Sequence, residues 1–307
     1  MIHYNNITCL KNNEIDKVKW DSCIHNANNG LIYGYSFYLD IMTKHWDGLI
    51  LNDYEAVMPL TWNRKFGIYY LYQPFFTASL GVFGNIVSAD IVNIFLDNIP
   101  GKYKYWDIYL NHANLFKIKG YALCNRSNYV LDLNKSYTDI ASSYAENHTR
   151  NIKKAEKFGC IVEKNIPIKK IIQLAKEQSL ANSNVNNEDY NNFQKLFGKL
   201  NRQKQAETYG IYNNENTLLS GCVYFFSNNR AYYIFAANHP DSKKSGASHF
   251  LINSFIKENA GKKLFLDFEG SNIKSLAEFY ARFGAKEEKY PALKLNRLPA
   301  VLKMFKK

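Results

Sequence analysis

Cysteine is scarce in this chain and poorly placed for joint chemistry. The five cysteines, Cys9, Cys23, Cys124, Cys160 and Cys222, are scattered, and no two form a C-x-x-C pair. That pattern argues against a zinc site and against a disulfide framework. None sits in a recognisable nucleophile motif. A reducing, cytoplasmic setting is therefore expected. Histidine gives no metal signal either: His148, His239 and His249 lack the spacing that ligands need, so no metal is expected. No uncharged apolar run reaches the roughly 18 residues of a membrane span. The opening stretch MIHYNNITCLKNN has no apolar core of a secretory signal. A soluble protein is the expectation. No internal sequence repeat is evident.

What the chain has is length, aromatics and positive charge. Its 307 residues suggest two domains with ample core. Hydrophobic residues make up 46% and aromatics 15%, which marks an ordered globular protein. The net charge is +12. It favours anionic partners such as a CoA pyrophosphate, a nucleotide sugar, RNA or an acidic membrane surface. General enrichment in Lys, Asn, Ile and Tyr explains the same charge without a partner.

The coarse pattern is α/β. In the first half, helices are expected over Glu14 to Ala27, Ser36 to His45 and Ser88 to Asn98. Strands are expected at Leu49–Leu51, Ala56–Trp62, Ile68–Tyr72, Tyr105–Leu110 and Tyr129–Leu133. A second cycle starts with the capping pattern Ser136-Tyr137-Thr138-Asp139 and one helix running to Phe158. Helices Ile168–Ser179 and Asn187–Arg202 follow, then strands Glu207–Tyr212, Thr217–Phe226 and Arg230–Ala236. Helix 245–259, strand 262–268, helix 273–283 and a strand near Tyr290–Leu295 close the pattern.

The stretch Leu264 to Ala285 carries the most chemistry. A short apolar run leads to Asp267 and Glu269, whose spacing of two places both on one face of an extended segment. Gly270 ends the strand, Asn272 is placed to cap a helix, and Gly284 stops it. The two acids thus stand where a strand gives way to a helix, a usual location for sites in open α/β sheets. Either one is a general base toward an amine or hydroxyl, with Glu269 favoured for its longer reach, or both pair with a nearby cation or with the helix dipole. Upstream, Lys243-Lys244-Ser245-Gly246-Ala247 opens a helix, and N–H groups there favour an anion; an ordinary helix start is the other reading. His239 stands just before this turn. Arg150, Lys153, Lys154 and Lys157 share one helix face, either as a solvated surface or as an anion contact led by Arg150, whose guanidinium grips phosphate or carboxylate bidentately.

Three motifs, in order, carry a resemblance. They are Gln73-Pro74-Phe75-Phe76-Thr77-Ala78-Ser79-Leu80-Gly81, the basic helix His148 to Lys157, and Asp267-Phe268-Glu269-Gly270-Ser271 followed by Phe279-Tyr280-Ala281-Arg282-Phe283-Gly284-Ala285. Together they resemble the FemABX-like branch of the GNAT acyltransferase superfamily. The resemblance implies tandem GNAT-like domains, each a mixed central sheet flanked by helices: 1–134, completed by the tail 298–307, and 135–297. It implies acyl or aminoacyl transfer from acyl-CoA or aminoacyl-tRNA to an amine, by direct attack and with no tightly bound cofactor. A nucleotide-sugar peptide is one acceptor of that class. It also implies that Lys243, Lys244, Ser245, Gly246 and Ala247 cradle a pyrophosphate, and that Arg150, Lys153 and His239 touch substrate. Tyr280 replaces a lysine common in the family, as a general acid or as a core aromatic. A non-catalytic binding module and an RNA-binding protein without transfer activity are the alternatives.

Overall fold

The computed structural model describes residues 6–178, 185–269 and 272–299. In chain order, the first half gives β1 (Ile7–Lys11), α1 (Lys17–Asn26), α2 (Ser36–Met42), β2 (Trp46–Leu51), β3 (Ala56–Lys65), β4 (Ile68–Tyr72), β5 (Phe83–Gly84), α3 (Ala89–Asp97) and β6 (Tyr103–Tyr109). The second half gives β7 (Leu123–Asp132), α4 (Tyr137–Ser142), α5 (Glu146–Lys157), β8 (Ile161–Lys164), α6 (Ile168–Gln178), α7 (Asn187–Arg202), β9 (Ala206–Tyr212), β10 (Leu218–Ser227), β11 (Arg230–Asn238), α8 (Ser242–Ser245), α9 (Ala247–Asn259), β12 (Phe265–Asp267), α10 (Lys274–Ala281) and β13 (Lys286–Asn296). The described residues form two compact units. One runs to Arg126 and resumes at Lys289; the other is Ser127–Glu288. The chain passes between them inside β7 and inside β13, whereas the sequence pattern sets its boundary near Asn134. Of the tail 298–307, only Leu298 and Pro299 lie among the described residues.

The first unit orders its strands β1-β2-β3-β4-β6-β13, with β5 beside β3. Among its described strands, β4 and β6 pair in parallel. Its core includes Leu49, Met58, Leu60, Leu71, Val92, Phe95, Trp106 and Leu293. Local chemistry starts its helices: Asp16 accepts the amides of Val18 and Lys19, and Ser88 accepts that of Ile91. The Gln73–Gly81 motif is a loop locked by side-chain amides. Gln73 donates to the Thr77 carbonyl at 2.8 Å and accepts the Tyr109 amide at 3.1 Å.

The second unit orders its strands β7-β12-β11-β10-β9-β8. Among its described strands, β11 and β12 pair in parallel. Its core packs Tyr209, Cys222, Tyr224, Leu251, Phe255, Leu266, Phe268 and Phe283, with Tyr224 stacked on Phe255 at 3.7 Å. Ser136 caps α4 as its capping pattern requires, accepting the Asp139 amide.

Three local expectations are corrected. The helix expected from Ser136 to Phe158 is broken into α4 and α5, because the Ala145 amide leaves the helical ladder and donates to the Arg282 carbonyl at 2.9 Å. The strand expected over 262–268 shortens to β12. Asn272 does not cap α10; its side-chain oxygen accepts the Ser127 amide at 3.2 Å.

Candidate functional site in the second unit

The site is built on the parallel pair β11 and β12. Arg230, Ala231 and Tyr232 register with Phe265, Leu266 and Asp267. There β12 stops, while β11 continues to Asn238. From Tyr233 onward, the flank of β11 that faced β12 has left that ladder. The strand also carries a bulge: Val223 lies opposite Phe235 and Tyr224 opposite Tyr233, so Ile234 is the extra residue. Bulges bend a strand and release backbone groups from pairing, and they gather beside active sites. No local sequence signal marks this bulge.

Asp267 is 4% exposed and tightly held. Its Oδ1 accepts from the Asn128 amide group at 2.8 Å and from the Glu269 backbone N–H at 3.0 Å. Its Oδ2 accepts from Arg230 Nη1 at 2.7 Å. Arg230 also grips Glu288 with two nitrogens, at 2.7 and 3.0 Å. Burial disfavours the guanidinium charge, but Asp267 and Glu288 outweigh it, and the pKa of Arg230 lies above the ordinary arginine value. Arg230 is a site residue that the sequence reading missed, because its partners lie 37 and 58 residues away.

Glu269 does not follow from strand alternation. Its φ of +67° turns the chain out of the extended form just past Asp267, so the two acids are no longer related by a pleat. Glu269 is half-buried and Phe268 is 1% exposed. Gly270 and Ser271 lie outside the described residues. Tyr280 stacks on Phe268 at 4.5 Å and meets Tyr233 edge-on at 6.5 Å. Burial first, and then the Glu269 carboxylate, push its hydroxyl up to about 12. Of the residues singled out in the sequence, Asp267, Glu269 and Tyr280 are therefore brought together.

The start of α9 differs from the expected phosphate cradle. The Ser245 and Gly246 amides are spent on the Asp241 and Ser242 carbonyls, at 3.0 and 2.9 Å. Gly246 has a φ of +81°, and a Cβ there would lie 2.3 Å from the Asn151 carbonyl oxygen. Its glycine is needed for the close approach of α5. Ser245 is buried, while Lys243 and Lys244 are exposed, Lys244 pairing with Asp241 at 3.3 Å. Ala247 begins α9. His239 Nδ1 accepts the Asp241 amide at 3.2 Å, closing the turn.

On α5, Arg150, Lys153, Lys154 and Lys157 are exposed and line, with Glu146 and Thr149, a concavity of about 520 Å³. The opposite face of the helix buries His148, Ile152 and Ala155. His148 Nε2 meets the Phe279 carbonyl at 2.9 Å, and its ring packs edge-on against His249 at 4.5 Å. Burial and the neighbouring imidazole hold His249 down at about 4.

No group of three metal-binding side chains converges among the described residues. No described helix is long and apolar enough to cross a membrane. All five cysteines are free.

No family model matches the sequence, and no curated protein is significantly similar to it. Solved structures do match. FemX superposes with a TM-score of 0.65 at 13% identity, over 95% of this chain and 99% of that one. L-PGS from Bacillus licheniformis gives 0.57 at 11%, over 94% and 95%. The C-terminal domain of a putative lysylphosphatidylglycerol synthetase from Agrobacterium fabrum gives 0.55 at 12%, over 88% of each chain. The chain shares the mixed α/β fold of FemX and of these two lysylphosphatidylglycerol-synthetase structures. Identities this low carry the fold and not the reaction.

Proposed function

We propose that the protein transfers an acyl or aminoacyl group from an activated donor, an acyl-CoA or an aminoacyl-tRNA, to an amine. The observation that carries this reading is the end of the β11–β12 ladder at Tyr232 and Asp267, with the Glu269 carboxylate close enough to Tyr280 to act on its hydroxyl. Glu269 takes a proton from the acceptor ammonium. The amine nitrogen then attacks the donor carbonyl carbon, and the oxyanion is met by backbone N–H groups of the β11 flank. The C–S or C–O bond to the leaving group breaks, Tyr280 donates the proton that the leaving group needs and takes back the second proton of the attacking nitrogen, and Glu269 releases its proton to water. Asp267, held by three donors, acts as a positioning residue for the turn that carries Glu269. Lys243, Lys244 and the first amides of α9, from Ala247 onward, meet the donor's phosphates, with Ser245 and Gly246 shaping the turn and His239 closing it. Arg150 and Lys153 contact an anionic donor or acceptor in the α5 concavity, such as aminoacyl-tRNA or a nucleotide-sugar peptide. That basic concavity also supports a second reading, RNA binding without transfer.

Turnover assays with acyl-CoA and aminoacyl-tRNA donors against amine acceptors test the proposal. Glu269→Gln is expected to lower turnover by about 10² to 10⁴ with an unchanged melting temperature. Full activity in Glu269→Gln overturns the assignment of the base. Binding of tRNA with no transfer to any acceptor selects the second reading.

A further inference from the structure

The hairpin joining β3 to β4 is costly in a way that the fold does not need. Lys65 registers with Ile68, so Phe66 and Gly67 form a two-residue turn with φ of +50° and +79°. Such turns favour Asn, Asp or Gly at the first position. Here that position holds a phenylalanine that is 92% exposed. The residue gains no packing for its strained backbone, and its ring stands in water. One cation lies on its ring and others lie on the aromatic rings of the adjoining strands. Lys65 lies over the Phe66 ring at 5.5 Å, and Arg64 lies over Tyr69 at 5.2 Å. Lys102 lies near Tyr69, Tyr103 and Trp62, at 5.9, 4.8 and 5.7 Å. Trp62 and Tyr69 continue into a cavity of about 630 Å³ that Lys11, Lys44 and Lys102 also line. Its acids are already engaged: Asp40 holds Lys17 at 2.6 Å, and Asp47 accepts from Tyr103 at 2.7 Å and from Lys102 at 3.3 Å.

We propose that this edge of the first unit docks on an anionic phospholipid surface, with Phe66 entering the interface and Arg64, Lys65 and the lysines of the cavity meeting lipid phosphates. An aromatic tip flanked by basic side chains is the chemistry that an anionic membrane interface selects. Base stacking by a nucleic acid suits the edge less well. Tyr69 and Phe66 each carry a cation against the ring, and Trp62 is stacked with His45 at 4.4 Å.

The experiment is co-sedimentation of the full chain with phosphatidylcholine vesicles, with and without phosphatidylglycerol, and with a single-stranded RNA as competitor. Binding is expected only with phosphatidylglycerol. Arg64→Gln with Lys65→Gln lowers the partition coefficient by about 25-fold, near fivefold per charge. Phe66→Ser lowers it about tenfold, while Val18→Ser, at an 81% exposed position elsewhere, leaves it unchanged. Phe66→Trp shifts its emission to the blue on anionic vesicles. Equal binding to both vesicle types, no blue shift, or retention of binding in Phe66→Ser overturns the proposal. So does RNA that binds with the same dependence on Phe66.

Discussion

Replacing Gly246 by alanine tests the contact that holds the basic helix against the start of α9. Two costs add. At a φ of +81° an L-residue pays about 1 to 2 kcal/mol, partly offset by about 0.5 kcal/mol because alanine restricts the unfolded chain. The new methyl would also lie 2.3 Å from the Asn151 carbonyl oxygen and 3.1 Å from its carbon. An ordinary carbon–oxygen contact is about 3.3 Å, so the backbone of α5 has to move by roughly 1 Å. Overpacking of this kind costs about 1 to 3 kcal/mol, and the upper end applies where backbone meets backbone. The sum is about 4 kcal/mol, or a fall of roughly 12 °C in melting temperature for a unit of this size. Gly261 supplies the control. Its φ is +83°, and nothing lies within 4 Å of its Cβ position. Gly261→Ala therefore pays the backbone term alone, about 1 kcal/mol or roughly 3 °C. Thermal melts of both variants, followed by circular dichroism, isolate the steric term as their difference. Equal melting temperatures would refute the close approach of α5 to Gly246.

Two further outcomes follow from the buried charges. Arg230→Ala strands Asp267 and Glu288 in their pocket and is expected to cost about 3 to 5 kcal/mol in a urea titration; Arg230→Lys recovers only part, because one ammonium cannot reproduce the bidentate grip on Glu288. His249 makes stability pH-dependent: its folded pKa is depressed from 6.5 to about 4, so below pH 6.5 the unfolded chain takes up a proton that the folded chain refuses. Stability falls from pH 6.5 to pH 4 and then levels off, by at most about 3 kcal/mol and by nearer 2 once the ring's partial exposure is allowed for, and His249→Gln flattens that limb of the pH–stability curve.

Features set within one turn of chain were legible in the sequence. Ser136 and Asp139 form their capping pair, and Asn187–Arg202 and Ile68–Tyr72 appear over the ranges that their periodicities predict. The illegible features depend on partners far along the chain. The break between α4 and α5 requires the Arg282 carbonyl to take the Ala145 amide. The local sequence leaves Asp267 either a base or an ion-paired acid, and only the packed strands bring up Arg230 and Asn128 to claim it. Gly246 reads as a phosphate-loop glycine, and its other demand, room for Asn151, is visible only once α5 is packed. Glu269 was expected beside Asp267 by a rule that holds inside strands, and β12 ends two residues before Glu269.

The return of the chain through β13 has a consequence for the order of assembly. In the first unit, residues Ala292 to Asn296 are the strand that covers β6, pairing with Tyr109 to Tyr105. During synthesis the ribosome makes the whole of Ser127–Glu288 before it makes that strand. Until then β6 presents a bare hydrogen-bonding edge, the kind of surface through which nascent chains pair wrongly. The unit begun first is thus the unit finished last, and its sheet stays incomplete while the other has every strand it needs.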